Sequence, residues 1–485
     1  MPVASLLIGD VIRANAAATP GAPAASLDEH VLSYRELDRA ANRCAHALRA
    51  RGVRHGDRVL AWADTALEVL PLFVALAKLG AVFAPLSARL GREEAAGVAK
   101  LARARLLVAD AAHAIDAEAV AGAAGISGWA ELGLTGSRDD DVVEPALHES
   151  DPHVLFFTSG STGRPKGVVL SHRANWLRSF QGVFRDEPER SVCMFPFFHM
   201  AAFTLALAAW QTRGEIILVR TPTPEALLRS VERRRANRLY AIPLVWARIL
   251  ESRSEDFDLS SVRELDTGTS ATPIELVRAL KHRFPWTRTR IYYGSTEAGS
   301  ATTLPDADVL RKPGSVGPAS PGVELRLAES GEICVRSPFL MDGYFDDPEA
   351  TAAALRDGWF HTGDLGALDA DGYLSIVGRL KDVIRTGGES VTPAEVEAAL
   401  AGAPGVRELA VVGIPDPHWG EVVCAVVVPE AGATPTLDAL RAHCAGRLAG
   451  FKQPRRLEQI EALPRTAATG QVQRTLLVEQ IAARG

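Results

Sequence analysis

Hydrophobic positions along the chain follow two different spacings. Between Tyr34 and Leu48 apolar residues recur every three to four positions, which is the spacing of an amphipathic helix. Short continuous apolar runs follow, separated by alanine-rich helical stretches, in the segments RVLAWA, AVFAPL, RLLVAD, HVLFFT and EIILVR. Runs of this length are typical of buried parallel strands. The pattern predicts an α/β architecture, with the polar run GSRDDDVVEP at 136–145 as a surface connection.

The pattern changes beyond Gly314, where short strands with glycine and proline turns predict a small β barrel or sheet. After the segment GRLKD the order becomes helix, strand, strand, helix, in TPAEVEAALAG, ELAVVGI, EVVCAVVVP and LDALRAHCAGRLAG. We therefore predict two domains, a large one over 1–380 and a small α+β domain over 381–485. The two are expected to join near Lys381.

The composition favours a cytoplasmic protein that handles small molecules. The 53 basic and 59 acidic residues give a net charge of -6, which argues against a nucleic-acid partner. The five cysteines show no CxxC spacing, so neither a zinc site nor a disulfide framework is expected. No basic residue precedes the first apolar run, so no signal peptide is expected. The apolar stretch EVLPLFVALAKLGAVFAPLSARL contains Lys78 and two prolines, which argue against a membrane span.

The segment FFTSGSTGRPKGVVLSH, at 156–172, carries the strongest chemical signal. A predicted strand ends in a loop rich in glycine, serine and threonine, which presents N–H groups, hydroxyls and one ammonium to phosphates. Because Gly167 rather than a hydroxyl residue follows Lys166, the segment is not a Walker P-loop. The predicted phosphate-binding residues are Thr158, Ser159, Gly160, Ser161, Thr162 and Lys166.

The motif TSGSTGRPKG resembles the phosphate-binding signature of the adenylate-forming (ANL) superfamily, and the whole chain resembles its acyl-CoA ligase branch. Further family motifs follow in the same order: YYGSTEAGS, GYFDDPEAT, the segment from DGWFHTGDL to TPAEVE, and FKQP. The resemblance implies two doubly wound α/β subdomains and a small β barrel, hinged to a small α+β domain. It also implies two half-reactions: a carboxylate attacks the α-phosphate of ATP, and CoA then displaces AMP from the acyl-adenylate.

The resemblance implies a role for individual motif residues. Thr296 would touch the phosphoryl or acyl oxygen, and Glu297 would offer its carboxylate to Mg²⁺ when the enzyme adenylates. Tyr293 would stack on adenine, whereas Asp364 and Arg379 would hydrogen-bond the ribose hydroxyls. The residues expected to bind the AMP moiety of the acyl-adenylate, or ATP, are Tyr293, Gly294, Asp364 and Arg379.

The segment PFFHMAAF, at 196–203, predicts an apolar acyl pocket. In the family, the position of His199 lies between the acyl pocket and the pantetheine channel, although a histidine among aromatic residues is also typical of a packed core. No basic residue lies beside it in the segment, which favours a fatty, aromatic or terpenoid-like acid over malonate. The segment DTGTSATP departs from the family's Gly-Gly-Ala pattern and leaves the shape of the acid open. The predicted pocket residues are Phe197, Phe198, Met200, Phe203 and Gly268.

The resemblance also places residues for the second half-reaction in the C-terminal part. Lys381, in GRLKD, occupies the position of the hinge. Gly387 and Gly388, in RTGGES, match the loop that lines the pantetheine channel. Lys452, in FKQP, would meet a phosphate of CoA, and a solvated surface lysine is an equally good interpretation.

The segment LPRTAATGQVQR departs from the family in one position. The family places a lysine after the glycine, where it bridges the acid's carboxylate and the α-phosphate during adenylation, and this chain has Gln471. An amide donates a hydrogen bond but does not neutralise charge, and removing one preorganised donor typically costs ~10² to 10³ in rate. Rescue by Arg465 or Arg474, a shifted loop register and an engineered substitution are the alternative explanations.

The sequence therefore predicts an acyl-CoA ligase whose main reaction is acyl-adenylate plus CoA to acyl-CoA plus AMP. Such an enzyme would need a separate adenylating enzyme as a partner, which suits a biosynthetic cluster better than lipid catabolism. A complete ATP-dependent acyl-CoA synthetase is the nearest alternative, and a non-catalytic acyl- or AMP-binding protein is a different class. CoA is the expected acceptor because no carrier domain follows Gly485, although a separate carrier protein is also considered.

Overall fold

The structure is a computed structural model that describes residues 6–159, 165–180, 187–387, 389–466 and 470–484. The chain divides into two compact units. The first unit comprises Met1–Pro313, Ala319–Glu324 and Val335–Phe360, and the second comprises Gly314–Pro318, Leu325–Cys334 and His361–Gly485.

Helices and strands alternate through the first unit, and strands dominate the second. The helices are α1 Ile8–Ala18, α2 Tyr34–Ala50, α3 Val69–Leu79, α4 Arg92–Ala102, α5 Ala114–Ala124, α6 His172–Ser179, α7 Met200–Gln211, α8 Pro224–Arg234, α9 Pro243–Glu251, α10 Ile274–Arg283, α11 Pro348–Ala354, α12 Pro393–Leu400, α13 Leu437–Cys444 and α14 Arg474–Ala482. The strands of the first half are β1 Pro23–Leu27, β2 His30–Ser33, β3 Arg58–Trp62, β4 Val82–Leu86, β5 Leu106–Ala109, β6 Trp129–Glu131, β7 Pro152–Ser159, β8 Pro165–Ser171, β9 Arg190–Cys193, β10 Glu215–Leu218, β11 Arg238–Tyr240, β12 Glu264–Gly268 and β13 Arg288–Ser295. The later strands are β14 Gly299–Leu304, β15 Ser315–Gly317, β16 Glu324–Leu327, β17 Glu332–Arg336, β18 Gly343–Tyr344, β19 Leu355–Arg356, β20 Trp359–Leu368, β21 Leu374–Arg379, β22 Ile384–Thr386, β23 Glu389–Val391, β24 Val406–Asp416, β25 Gly420–Pro429 and β26 Arg456–Gln459.

Two large sheets form the framework of the first unit. Their strand orders are β18-β8-β7-β4-β3-β5-β6 and β14-β13-β12-β11-β9-β10-β1-β2. The inner strands of both sheets pair in parallel, and antiparallel hairpins lie at the edges. The predicted α/β class is confirmed, because the five apolar runs singled out in the sequence form β3, β4, β5, β7 and β10.

Helix α3 shows why the apolar stretch around Lys78 belongs to a protein core. Ten of its eleven residues are buried. The Lys78 ammonium is buried as well, and it donates to Asp38 (2.7 Å), Asn42 (2.7 Å) and Asp141 (3.0 Å). Buried charge is tolerated when it is paired in this way. Asp141 also ties the irregular 136–145 connection to the fold, and no described helix is both long and apolar enough to cross a bilayer.

The second unit contains most of a third sheet, ordered β15-β21-β20-β17-β16, and a fourth, ordered β23-β22-β25-β24 with β26 beside β25. Alternate residues of the long β24–β25 hairpin face two separate cores, as the period of two in a strand requires. Helices α12 and α13 cover one face, and α14 covers the other.

The limits of the compact units differ from the predicted boundary at 380/381. Strands β15 and β21 lie entirely in the second unit, together with most of β20. The predicted boundary marks a hinge between moving bodies rather than the edge of a compact unit, and it stays a prediction.

Candidate active site

The predicted phosphate loop connects two strands of the first unit. In the β7–β8 hairpin, Thr158 pairs with Lys166 and Phe157 with Gly167. A Cβ on Gly167 would lie 2.8 Å from Leu155 Cδ1, so close packing explains the glycine after the lysine. Residues Gly160, Ser161 and Thr162 lie outside the described part of the chain, and for Ser159 only the strand position is described.

Tyr344 joins two of the predicted site residues. The Lys166 ammonium lies 4.8 Å from the centre of the Tyr344 ring, within the range of a cation–π contact. The Tyr344 hydroxyl donates to Glu297 Oε1 at 3.2 Å. Burial, followed by the Glu297 charge, raises the pKa of Tyr344, so it stays a hydrogen-bond donor at neutral pH. The structure thus places the phosphate-loop lysine and the predicted magnesium ligand against one side chain.

The turn that carries Thr296 and Glu297 is fixed from below by Arg178 of helix α6. Its guanidinium is buried and donates to the carbonyl oxygens of Thr296 (2.8 Å) and Phe339 (2.6 Å). Burial lowers the pKa of Arg178 to about 10, and the charges of Asp342 and Glu297 oppose that shift. Arg178 remains a cation at neutral pH, and it was not predicted from the sequence.

The YYGSTEAGS segment forms the β13–β14 hairpin. Tyr293 pairs with Thr302, and Gly294 pairs with Ser300. A Cβ on Gly294 would lie 1.9 Å from the carbonyl oxygen of Gly299, so only glycine allows this approach of the two strands. Tyr293 and Glu297 both lie at this end of the sheet and are partly buried.

His199 precedes helix α7 and stacks on Phe195, with ring centres 4.9 Å apart. Its Nδ1 accepts a hydrogen bond from the Ala201 N–H at 3.2 Å. Burial lowers the pKa of His199 to about 4. The imidazole is therefore neutral at pH 7, and with Nδ1 as the acceptor the ring proton resides on Nε2. Such a group can donate to an acyl oxygen without adding charge to the pocket.

The predicted pocket residues occupy different environments. Phe203 is fully buried and its ring lies against Phe73, with centres 4.3 Å apart, which is the position of a core residue. Phe198 is partly exposed, and the Arg89 guanidinium lies 5.8 Å from its ring centre. Arg89 is thus a cation beside the predicted pocket that the local sequence pattern did not reveal. Phe197 and Met200 are buried.

Gly268 ends strand β12 at a point where two strands lie unusually close. A Cβ there would lie 2.3 Å from the Tyr292 carbonyl oxygen and 2.8 Å from the Tyr240 hydroxyl. Two residues earlier, the buried Asp266 accepts from Arg238 (2.5 Å) and Arg290 (2.8 Å). Burial raises the pKa of Asp266, but the two guanidinium groups lower it overall, so a paired carboxylate lies next to the predicted pocket.

In the second unit, Asp364 and Arg379 pair directly across β20 and β21, and Arg379 Nε lies 2.9 Å from Asp364 Oδ1. The predicted ribose-binding pair is therefore in contact. Lys381 lies in the 3₁₀ turn Leu380–Asp382 and is exposed, in keeping with a position that needs only to rotate.

Gly387 lies against Trp419, a residue that was not predicted. Its φ is 58°, and a Cβ would lie 2.8 Å from Trp419 Cε3. The Arg455 guanidinium also lies over this indole, 3.9 Å from the ring centre. Lys452 donates to Glu395 at 2.5 Å, so its ammonium already has a carboxylate partner. Gly388 lies outside the described residues.

Gln471 follows the tight turn at the end of the second unit. Its carbonyl oxygen accepts from the Thr466 N–H at 2.8 Å, and its N–H donates to the Thr466 hydroxyl at 3.1 Å. Arg465 and Val472 form an antiparallel β-bridge. Gly470 has a φ of 68°, which a glycine adopts without strain. The side chain of Gln471 is half-buried.

Both arginines near Gln471 are engaged in ion pairs. Arg465 donates to Glu408 (2.7 Å) and to the Gly470 carbonyl oxygen (2.9 Å). Arg474 donates to Glu397 (2.6 Å) and to the Val411 carbonyl oxygen (3.2 Å). Each guanidinium thus already has a carboxylate and a carbonyl oxygen as partners.

Two family models match this chain. Residues 12–345 match the AMP-binding enzyme family, and residues 395–469 match the AMP-binding enzyme C-terminal domain. The chain belongs to the AMP-binding enzyme family. Its acyl-CoA ligase relatives place it in the corresponding branch of the adenylate-forming superfamily, which confirms the resemblance of its motifs.

Curated relatives and solved structures cover almost the whole chain of this AMP-binding enzyme. A feruloyl-CoA synthase of Amycolatopsis sp is 39% identical over 93% of this chain and 94% of its own. An indoleacetate–CoA ligase of Aromatoleum aromaticum is 35% identical over 95% of both chains. The ATP-bound MatB from Rhodopseudomonas palustris has a TM-score of 0.87 at 30% identity, over 97% of this chain and 98% of that one.

Proposed function

We propose that this AMP-binding enzyme forms the CoA thioester of an apolar, aromatic carboxylic acid, and that it acts mainly on the preformed acyl-adenylate. Its homologues are acid–thiol ligases. The observation that carries the narrower proposal is Gln471, which follows Gly470 directly, while Arg465 and Arg474, the arginines that flank it in the sequence, are both ion-paired.

The acyl pocket supports an uncharged, flat acyl group. The neutral His199 and the rings of Phe195 and Phe197 offer apolar and stacking surface. Two relatives are a feruloyl-CoA synthase and an indoleacetate–CoA ligase. Ferulate and indoleacetate both have an aromatic ring on a short carboxylic chain. The Arg89 guanidinium, beside Phe198, would hydrogen-bond one polar substituent at the edge of the substrate's ring.

The first unit retains the residues for an adenine nucleotide. Lys166 and Glu297 both contact Tyr344 and would meet the phosphates and Mg²⁺ respectively. One carboxylate beside substrate phosphates suits this hard cation, which would neutralise phosphate charge there. Nucleotide binding is therefore expected whichever half-reaction dominates.

Gln471 in place of a lysine should slow adenylation more than thioester formation. In adenylation a carboxylate approaches an anionic phosphate, and a cation is needed where the two meet. In thioester formation the CoA thiol loses its proton to solvent and its sulfur attacks the acyl carbonyl carbon. A C–S bond forms, and the bond between that carbon and the phosphate oxygen breaks as AMP leaves with the electron pair. The carbonyl carbon is uncharged at the start, so this step depends less on a cation at position 471.

A single-turnover comparison on the full chain tests the proposal. One reaction contains free acid, ATP and CoA, and the other contains synthetic acyl-adenylate and CoA, with feruloyl and indoleacetyl groups as the first probes. We expect thioester from the adenylate, and a rate at least ~10²-fold lower from the free acid. Gln471→Lys should restore adenylation, measured as pyrophosphate release.

Gln473→Lys is the matched control, because Gln473 is an exposed glutamine in the same hairpin and the substitution adds the same charge. Restoration by Gln471→Lys alone supports the proposal. Equal conversion of acid and adenylate by the unmodified chain refutes it and supports a complete ATP-dependent synthetase. Tight binding of the adenylate without turnover would indicate a binding protein, and turnover only with a carrier-protein thiol would replace CoA as the acceptor.

A further inference from the structure

Glu332, on strand β17 of the second unit, contacts the segment of strand β20 just before Asp364. The residue is buried, and both carboxylate oxygens have identified partners. Oε1 accepts from the Gly363 N–H at 3.0 Å, and Oε2 lies 2.8 Å from His361 Nδ1. No step described so far uses this carboxylate, although its two contacts span the residues just before Asp364.

Thr362 ties the same segment of β20 to β17 at a second point. Its hydroxyl donates to the Ile333 carbonyl oxygen at 2.9 Å and accepts from the Asp364 N–H at 3.0 Å. Gly363 between them has a φ of 71° with open space around its Cβ position, so the glycine is required by the backbone angle. The segment from 361 to 364 is therefore held through the side chains of His361 and Thr362 and through the N–H groups of Gly363 and Asp364.

Cys334 lies close to this cluster, with its sulfur 3.5 Å from His361 Nδ1. Together Glu332, Cys334 and His361 bring three potential metal-ligating atoms within 4.8 Å of one another. The carboxylate is already occupied by the Gly363 N–H and the imidazole, which favours a hydrogen-bonded role over a metal-binding one.

We propose that Glu332 is the positioning residue for the ribose-binding carboxylate of Asp364. The inference rests on the proposed function, in which Asp364 meets the ribose hydroxyls. A carboxylate that accepts a backbone N–H makes a strong, directional bond, and here that bond fixes the Thr362–Gly363 peptide, one peptide before the one that leads into Asp364. Arg379, 2.9 Å from Asp364 Oδ1, fixes the other end of the aspartate. Glu332 thus acts on nucleotide binding through Asp364 and does not touch the nucleotide.

The test compares ATP with 2′,3′-dideoxyATP, which lacks the ribose hydroxyls. Binding to the full chain is measured by titration calorimetry, with Glu332→Ala as the main variant and Asp364→Asn as the reference. The unmodified chain should prefer ATP by about tenfold or more, the value of one charge-assisted hydrogen bond. Glu332→Ala should lose most of that preference while binding the dideoxy nucleotide as before, and the double variant should lose no more than Asp364→Asn.

Two further variants keep the test decisive. Glu332→Gln retains an acceptor for the Gly363 N–H and should keep most of the preference. Thr362→Val removes the other tether without changing side-chain volume greatly, and it should lose part of the preference even if Glu332→Ala does not fold.

Three outcomes overturn the inference. Equal weakening of both nucleotides by Glu332→Ala would show a structural role only. An unchanged preference would show that Asp364 needs no such support. Stoichiometric Zn²⁺ binding that Cys334→Ser abolishes would show that the cluster is a metal site. If Asp364→Asn itself leaves the preference unchanged, the ribose role of Asp364 in the proposed function fails instead.

Discussion

Replacing Arg178, which is buried next to the turn that carries the predicted magnesium ligand Glu297, should weaken Mg-ATP binding while the chain still folds. In Arg178→Met the Thr296 and Phe339 carbonyl oxygens lose their donors, while an unbranched apolar chain of similar reach still fills the space. The Thr296–Glu297 turn then keeps the hydrogen bonds of its own hairpin, the Tyr344 hydroxyl that donates to Glu297 Oε1 at 3.2 Å, and the Met341 N–H that donates to the Glu297 carbonyl oxygen at 2.8 Å.

The magnitude follows from two opposing contributions. Two hydrogen bonds from a charged donor contribute roughly 1.5 to 3 kcal/mol each, or about 3 to 6 kcal/mol together. Against this, burial lowers the pKa of Arg178 from 12.5 to about 10, and removing that buried charge returns about 3 kcal/mol. The net loss in unfolding free energy is therefore about 0 to 3 kcal/mol. The Kd for Mg-ATP should rise about tenfold, roughly the value of one hydrogen bond, because the backbone at Thr296 beside Glu297 loses its buried donor.

The assay pairs urea unfolding with Mg-ATP titration, and Arg173→Met is the matched control on the same helix. Arg173 is exposed and pairs with Glu149 at 2.7 Å, so its loss should cost less than about 1 kcal/mol and leave Kd unchanged. If Arg178→Met binds Mg-ATP as tightly as Arg173→Met does, Arg178 does not organise the site and the reasoning is refuted.

Three further predictions concern acid stability and two glycines. Because burial lowers the pKa of His172 and His199 to about 4, the unfolded chain takes up protons first below pH 6.5, and each histidine should lower stability by up to about 3 kcal/mol between pH 6.5 and 4. His199→Asn should flatten the slope of unfolding free energy against pH in that range, and an unchanged slope would contradict the assignment. Gly268→Ala should lower the unfolding free energy by roughly 1 to 3 kcal/mol, measured by thermal unfolding, because the added Cβ would lie 2.3 Å from the Tyr292 carbonyl oxygen. It should also raise KM for the acid. An unchanged KM would mean that this strand end does not shape the pocket. Gly387→Ala should lower the unfolding free energy by about 1 kcal/mol because of the φ of 58° at this position. It should also raise KM for CoA while the rate of pyrophosphate release stays constant. A matching change in KM and in pyrophosphate release would place the residue outside the CoA channel.

The sequence predicted the framework well because strand burial leaves a local signature. A continuous apolar run such as VFAPL is fully buried in β4, and the glycine-rich motif lies between β7 and β8 as expected. The predicted ribose-binding residues Asp364 and Arg379 are also in contact. Each of these residues and strands was identified from a motif or run of a few neighbouring residues.

Long-range pairing is what the sequence did not reveal. Arg178 resembles any solvated arginine in the last turn of a short helix, and it is buried because Thr296 and Phe339, 118 and 161 residues away, supply its acceptors. Phe203 has the same local pattern as Phe198, yet only packing against distant rings such as Phe73 distinguishes a core residue from a partly exposed one. Its predicted place in the substrate pocket stays a prediction.

The two arginines near Gln471 differ in how readily either could replace the missing lysine. Arg474 would have to leave Glu397 and the Val411 carbonyl oxygen, and it lies 3.6 Å from Asp382 as well, so its release breaks three contacts. Arg465 pairs with Glu408 where the two side chains are 40% and 35% exposed, and pairs at the surface contribute only about 0 to 1 kcal/mol. Arg465 is thus the less costly cation to recruit, and its release also frees the Gly470 carbonyl oxygen next to Gln471. Residual adenylation that Arg465→Gln abolishes and Arg474→Gln spares would therefore identify a relocated cation, whereas residual activity insensitive to both substitutions would mean that the amide of Gln471 is itself sufficient.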